Sequence, residues 1–164
     1  PQPPVNDTAA DAIELLRRTS GEVEGDLTLA GNDYTPGVYP TSCTGYSAEG
    51  NDVVYRFFLQ KDDLVDLSYV QPSFDASVYI VTDCSNPSGT CVVGAEYQPS
   101  GQPETIHWTC PASGIYFLIC DTYSGGGPYT LTYNEVADRL EGIYYQAVEK
   151  RHFEAYFERM RGAR

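Results

Sequence analysis

No stretch of eighteen apolar residues occurs in this 164-residue chain, so no segment is expected to cross a membrane as a helix. Basic side chains are scarce: 10 Lys and Arg against 23 Asp and Glu, for a formal charge of −13. The deficit is uneven. Residues 1–134 carry 4 basic and 17 acidic side chains, whereas residues 135–164 carry 6 of each. An acidic body repels phosphate backbones and anionic lipid heads, which argues against nucleic acid as a partner. There are only two histidines, His107 and His152, and neither sits with cysteines at zinc-ligand spacing. Neither neighbours a Ser or Cys motif of the G-x-S-x-G kind, so no nucleophile–base pair is legible. "SGGGP" precedes a strand pattern rather than a helix, which excludes a phosphate loop. The chain is expected to have no enzymatic activity.

What is abundant points to β-structure. Fourteen tyrosines, fifteen glycines and eleven prolines suit short strands joined by tight turns. From residue 53 onward apolar residues alternate. Val53, Tyr55, Phe57 and Leu59 share one face; so do Val65, Leu67 and Tyr69, then Val78 and Ile80, then Ile106, Trp108 and Cys110. Tyr116, Leu118 and Cys120 continue the pattern, as do Tyr129, Leu131 and Tyr133. Period two over so many segments, with no helix between them, predicts a mainly β fold: an antiparallel sandwich of about eight strands. Tyr79, Val81, Phe117 and Ile119 fall on the second face of their strands, so that face must be covered or present an apolar patch.

The ends read differently. "NDTAADAIELLRRTS" predicts a short N-terminal helix capped by Asp7 or Thr8. Asn6-Asp7-Thr8 is also a glycan acceptor motif. The opening "PQPPVNDT", without Met, is expected of a processed or trimmed chain. Residues 135–164 predict a helical tail. At about 100° per residue, Leu140, Ile143, Tyr144, Ala147 and Val148 share one side. Phe153, Tyr156, Phe157 and Met160 share the other. Two opposed stripes predict that the first half covers the chain's own sandwich while the second enters a neighbouring copy, giving a homo-oligomer and, with a heterologous contact, rings or filaments. The expected organisation is therefore an N-terminal segment (1–20), a sandwich (21–134) and a helical tail (135–164).

Five cysteines leave at least one unpaired or linked to another chain. In "DCSNPSGTC" the turn cluster at 86–89 would bring Cys84 and Cys91 together, so a Cys84–Cys91 disulfide is expected. Cys43, Cys110 and Cys120 stay unassigned, with a buried free thiol expected for one. A disulfide implies an oxidising compartment, hence a secreted or cell-surface protein. Tyr34, Tyr39 and Tyr46, in the long Gly/Pro/Ser-rich loop, are the candidate ligand-binding aromatics.

The order "NDT", "GNDVVYRF", "DLVDLSY", "FDASVYIVTDC", "CVVGAE", "GIYFLICDTY" and "GGGPYTLTY" resembles the bacterial pre-peptidase C-terminal domain over residues 6–134. That resemblance implies a secreted, non-catalytic sandwich of jelly-roll-like arrangement. It implies paired cysteines in the stretch that here reads "FDASVYIVTDCSNPSGTC", and help with secretion, localisation or substrate binding. It leaves calcium open as a ligand, although Asp62, Asp63 and Asp66, or Asp75 and Asp83, make no compact calcium loop. These 164 residues depart from that pattern in holding no peptidase ahead of the domain and in the tail expected after it. The leading expectation is a self-associating structural or adhesive subunit; the alternative is an accessory binding or targeting module of a secreted peptidase.

Overall fold

The structure is a computed structural model that describes residues 1–15 and 21–134. Nine strands form two sheets: β1 (Ile13–Glu14), β2 (Gly21–Asp26), β3 (Val53–Leu59), β4 (Leu64–Val70), β5 (Ala76–Val81), β6 (Cys91–Ala95), β7 (Glu104–Thr109), β8 (Gly114–Thr122) and β9 (Pro128–Asn134). One sheet has the order β1-β3-β8-β5-β6 and the other β2-β9-β4-β7. All pairings are antiparallel except β1 on β3, so the five-stranded sheet is mixed.

Alternation sorts the side chains as the sequence implies. Tyr55, Leu59, Leu67, Tyr69, Val78, Ile80, Ile106, Leu118 and Leu131 are buried together between the sheets. Buried tyrosine hydroxyls find partners: Tyr55 and Tyr129 share a hydrogen bond of 2.6 Å, and Tyr116 donates to the Ala112 carbonyl at 2.7 Å. Cys110 and Cys120 are both buried free thiols, behaving as small apolar residues.

Three expectations are corrected. The predicted N-terminal helix is a single 3-10 turn, Ala9–Asp11, followed by strand β1. Ile13 and Glu14 pair with Tyr55 and Arg56 on β3, so sheet pairing overrides a local helical pattern. The C-terminal helix, with Phe153, Tyr156, Phe157 and Met160, falls outside the described residues. Among the described residues the only α-helical segment is the four-residue turn Pro87–Thr90. A homo-oligomer through a tail helix thus has no support and is withdrawn. The disulfide joins Cys43 to Cys91, Cα–Cα 6.1 Å, and Cys84 is free. The reason is register: Cys91 lies opposite Val81 across a bulge, while Cys84 lies beyond the end of β5, in the connection that carries the Pro87–Thr90 turn. Burial pushes the Cys84 thiol up to about 12, which keeps it unreactive.

The second face of the five-stranded sheet is covered by described segments of the chain. Val54, Tyr79, Val81 and Ile119 form a second core, against which Ala9, Ala12, Tyr34, Cys43 and Cys91 pack. The cover is thus the N-terminal turn plus the long loop 31–50. The Asp52 carboxylate pins that loop by accepting the N–H groups of Asp33 and Tyr34 at 2.9 Å, and Asp7 accepts that of Gly31 at 2.6 Å. Asn6 is buried, with its amide donating to the Val54 carbonyl, so in the folded chain it is not an open glycan acceptor.

The loop lies so close to β6 that only glycine fits at Gly94. A Cβ there would sit 2.8 Å from Thr44 Cγ2, 3.1 Å from Tyr79 Cβ and 3.2 Å from the Cys43 carbonyl oxygen. Gly94→Ala is therefore expected to cost about 1–3 kcal/mol, read as a lower urea midpoint with unchanged slope.

Candidate functional site

Where loop 31–50 meets the ends of β5, β6 and β8, a cavity of ≈ 430 Å³ opens, lined by Tyr46, Asp75, Glu96, Tyr97, Gln98, Pro99 and Tyr123. Each wall is held by backbone geometry. Tyr97 and Gln98 follow β6, and their N–H groups both donate to the buried Glu104 carboxylate on β7. Tyr123 follows β8, its N–H donating to the Asp75 carbonyl at 2.9 Å. Tyr46 is fixed through its carbonyl, which accepts from the Ser42 and Thr44 hydroxyls, and through Tyr39, whose ring stacks on it at 6.1 Å. The three lining tyrosines are wet: Tyr46 is 48%, Tyr97 69% and Tyr123 51% exposed.

The carboxylates are drier, and Asp75 is half-buried. Glu96 is 4% exposed. One of its oxygens accepts from Thr44 Oγ1 at 2.9 Å, and the other, like Asp75 Oδ1, is buried with no hydrogen-bond partner. Burial, with the charge of Asp75 adding to it, pushes the Glu96 carboxyl up to about 7, and burial also raises Asp75. Thr44 has one hydroxyl proton but two acceptors, Glu96 and the Tyr46 carbonyl at 3.0 Å. Thr44 shares that one proton between the two oxygens. Behind this pair, under the same loop, lies Asp121, fully buried; burial and then the charge of Asp52 hold it well above the usual carboxylate range. Tyr79 donates to it at 3.0 Å. Asp52 itself is raised to about 7 by burial.

Of the aromatics expected to bind, Tyr46 lines the cavity and Tyr39 buttresses it. Tyr34 serves elsewhere. Half-buried in the second core, it accepts the Ala9 N–H at 2.7 Å. Tyr97, Tyr123 and Glu96 carry no motif that marks them in the sequence, although the strand alternation that puts Val93 and Ala95 inward does put Glu96 on the covered face. Asp62 pairs with Lys61, Asp66 with His107 at 2.9 Å, Asp63 accepts the Gln60 N–H and Asp83 that of Ser85, so these acids serve separate turns and strands. Among the described residues no group of three or more His, Cys, Asp or Glu is arranged to hold a metal ion. Among the same residues no helix is long and apolar enough to cross a membrane.

No family model and no curated protein matches the chain. Solved structures do. The pre-peptidase C-terminal domain of a Bacillus anthracis collagenase superposes with a TM-score of 0.49 at 17% identity, covering 75% of this chain and 94% of that one. A periplasmic inhibitor of g-type lysozyme from Aeromonas hydrophila gives 0.48 at 11% identity, with the same coverages. Its Salmonella Typhimurium counterpart gives 0.43 at 16%, covering 75% and 96%. The chain is a two-sheet β-sandwich, and the first of these solved structures is a domain of the kind that its order of motifs resembles.

Proposed function

We propose that this chain is a non-catalytic extracellular binding module whose ligand enters the tyrosine-rimmed cavity at the end of the sandwich. This is the accessory-module alternative, now with a site. The observation that carries it is the pairing of three exposed tyrosines with one buried and one half-buried carboxylate in one concave site. Rigid aromatic rings with polar tips give contact area at little entropy cost. The disulfide fits an oxidising compartment.

Paired carboxylates in an aromatic cleft also serve glycoside hydrolysis, which needs one acid held protonated and one held ionised. Here burial raises both carboxyls, and the exposed rim is tyrosine, which supplies contact area rather than acid–base chemistry. His107 pairs with Asp66 on an exposed strand surface, away from the cavity lining. Binding is the chemistry this arrangement supports.

The test is a combined peptide and glycan array, probed with the intact chain and with a Tyr46→Ala/Tyr97→Ala/Tyr123→Ala variant. Phe58→Ala, an exposed aromatic elsewhere on β3, serves as the control. Signals lost in the triple variant and kept in the control are expected. Signals unchanged in the triple variant would sink the reading.

A further inference from the structure

We infer that the cavity receives the side-chain cation of a lysine or arginine residue presented by a basic partner protein. The inference rests on reading the cavity as the binding site, and adds what kind of group fills it.

Three observations converge. First, Glu96 is nine-tenths buried, and one of its carboxylate oxygens has no hydrogen-bond partner; Asp75 Oδ1 shares that state. A donor brought into the cavity would give these oxygens a hydrogen bond that the described residues do not complete. Second, among the described residues no protein cation is at hand. The described residues include only two Lys or Arg side chains, Arg56 and Lys61, and these pair with Glu14 and Asp62. None lines the cavity. Third, the rim is three tyrosines, and ammonium and guanidinium groups are attracted to aromatic faces. An aromatic rim over a carboxylate floor satisfies both the alkyl stem and the charged head of such a side chain.

Rival ligands fit less well. A bare metal ion needs three or more convergent ligands, and the described residues offer no such group. An anion would meet Asp75 and Glu96, with Asp121 and Asp52 behind them. A sugar hydroxyl would satisfy one orphaned oxygen but leave the carboxylate charge unbalanced, whereas a cation does both. The body's excess of 17 acidic over 4 basic side chains would steer a basic partner toward this surface.

The experiment titrates short capped peptides against the intact chain, followed by NMR shifts of the Tyr97 and Gln98 amides. One set carries a central lysine or arginine; a matched set carries acetyl-lysine or citrulline, which keep the length and lose the charge. Saturable shifts are expected for the charged set, with at least about tenfold weaker binding for the neutral set. Glu96→Gln and Asp75→Asn should each weaken the charged peptides by about tenfold, while Asp62→Asn, an exposed acid elsewhere, should leave them unchanged. Asp75 is only half-buried, so its variant keeps the test decisive if Glu96→Gln proves unstable. Equal binding of charged and neutral peptides, equal loss in Asp62→Asn, or no binding of the charged set overturns the cation assignment. Loss of array signals in the triple tyrosine variant would still leave the cavity as the binding site, so the two ideas fail separately.

Discussion

Acidifying the protein from pH 8 to pH 5 should raise its melting temperature by on the order of 10 °C. Ordinary acid denaturation runs the other way, so the sign is informative. Asp52 and Glu96 are buried and have folded-state pKa values of about 7, against roughly 4 in an unfolded chain. Burial holds Asp121 higher still. For a carboxyl whose folded pKa is raised, the native state binds the proton more tightly than the unfolded state does. Between the two pKa values the native state holds more protons, so stability falls as pH rises through that window. The contribution is complete below about pH 4 and gone above about pH 7. Each group commits about 1.4 kcal/mol per unit of difference, so two of them make a few kcal/mol. The general repulsion of a chain at −13 adds in the same direction. Glu96→Gln should reduce the pH slope without abolishing it, because Asp52 and Asp121 remain. Differential scanning calorimetry at pH 5, 6, 7 and 8 measures this. A flat profile, or one that falls on acidification, would mean the carboxylates are ionised and satisfied, and the cavity would then hold no acceptor in want of a donor. A bound cation should lessen the effect, since it stabilises the ionised forms.

The strands were legible because each buries one face. Val53 to Leu59 and Val65 to Tyr69 repeat every two residues, and the sheets place those residues in the core. The second face was half legible. Tyr79, Val81 and Ile119 signalled a covered surface, but which segment covers it depends on contacts made across tens of residues. Asp52 holding the N–H groups of Asp33 and Tyr34 has no local signature in "GNDVVYRF". The cysteine assignment failed for a related reason. A turn between Cys84 and Cys91 is real, yet pairing is set by where Cβ atoms point: a helical turn separates the two, and a bulge sets Cys91 opposite Val81. The cavity was the least legible. Its lining comes from four stretches of chain, at 46, 75, 96–99 and 123, and an acid's burial cannot be read from its own strand when a loop supplies the roof.

Breaking the Cys43–Cys91 bridge is the other change with a large expected consequence. The bond spans a sequence separation of 48 and ties the roof loop to an edge strand of the five-stranded sheet. Loop-closure entropy for that separation gives about 4 kcal/mol, with typical native disulfides between about 2 and 4 kcal/mol. Cys43→Ser with Cys91→Ser should lower the melting temperature by roughly 10 °C, whereas Cys84→Ser should change it little, because that thiol is free. The pairing itself is checked by trypsin. Arg56 and Lys61 lie between Cys43 and Cys91, while Cys84, Cys91, Cys110 and Cys120 share one stretch free of Lys and Arg. A Cys43–Cys91 bond therefore leaves two tryptic peptides linked until reduced, and a Cys84–Cys91 bond leaves none. Reduction should also loosen the roof over Val54, Tyr79, Val81 and Ile119 and unseat Tyr46 from the cavity wall. Ligand affinity should then fall along with stability. Full affinity in a reduced chain that is still folded would show that the roof loop does not build the site.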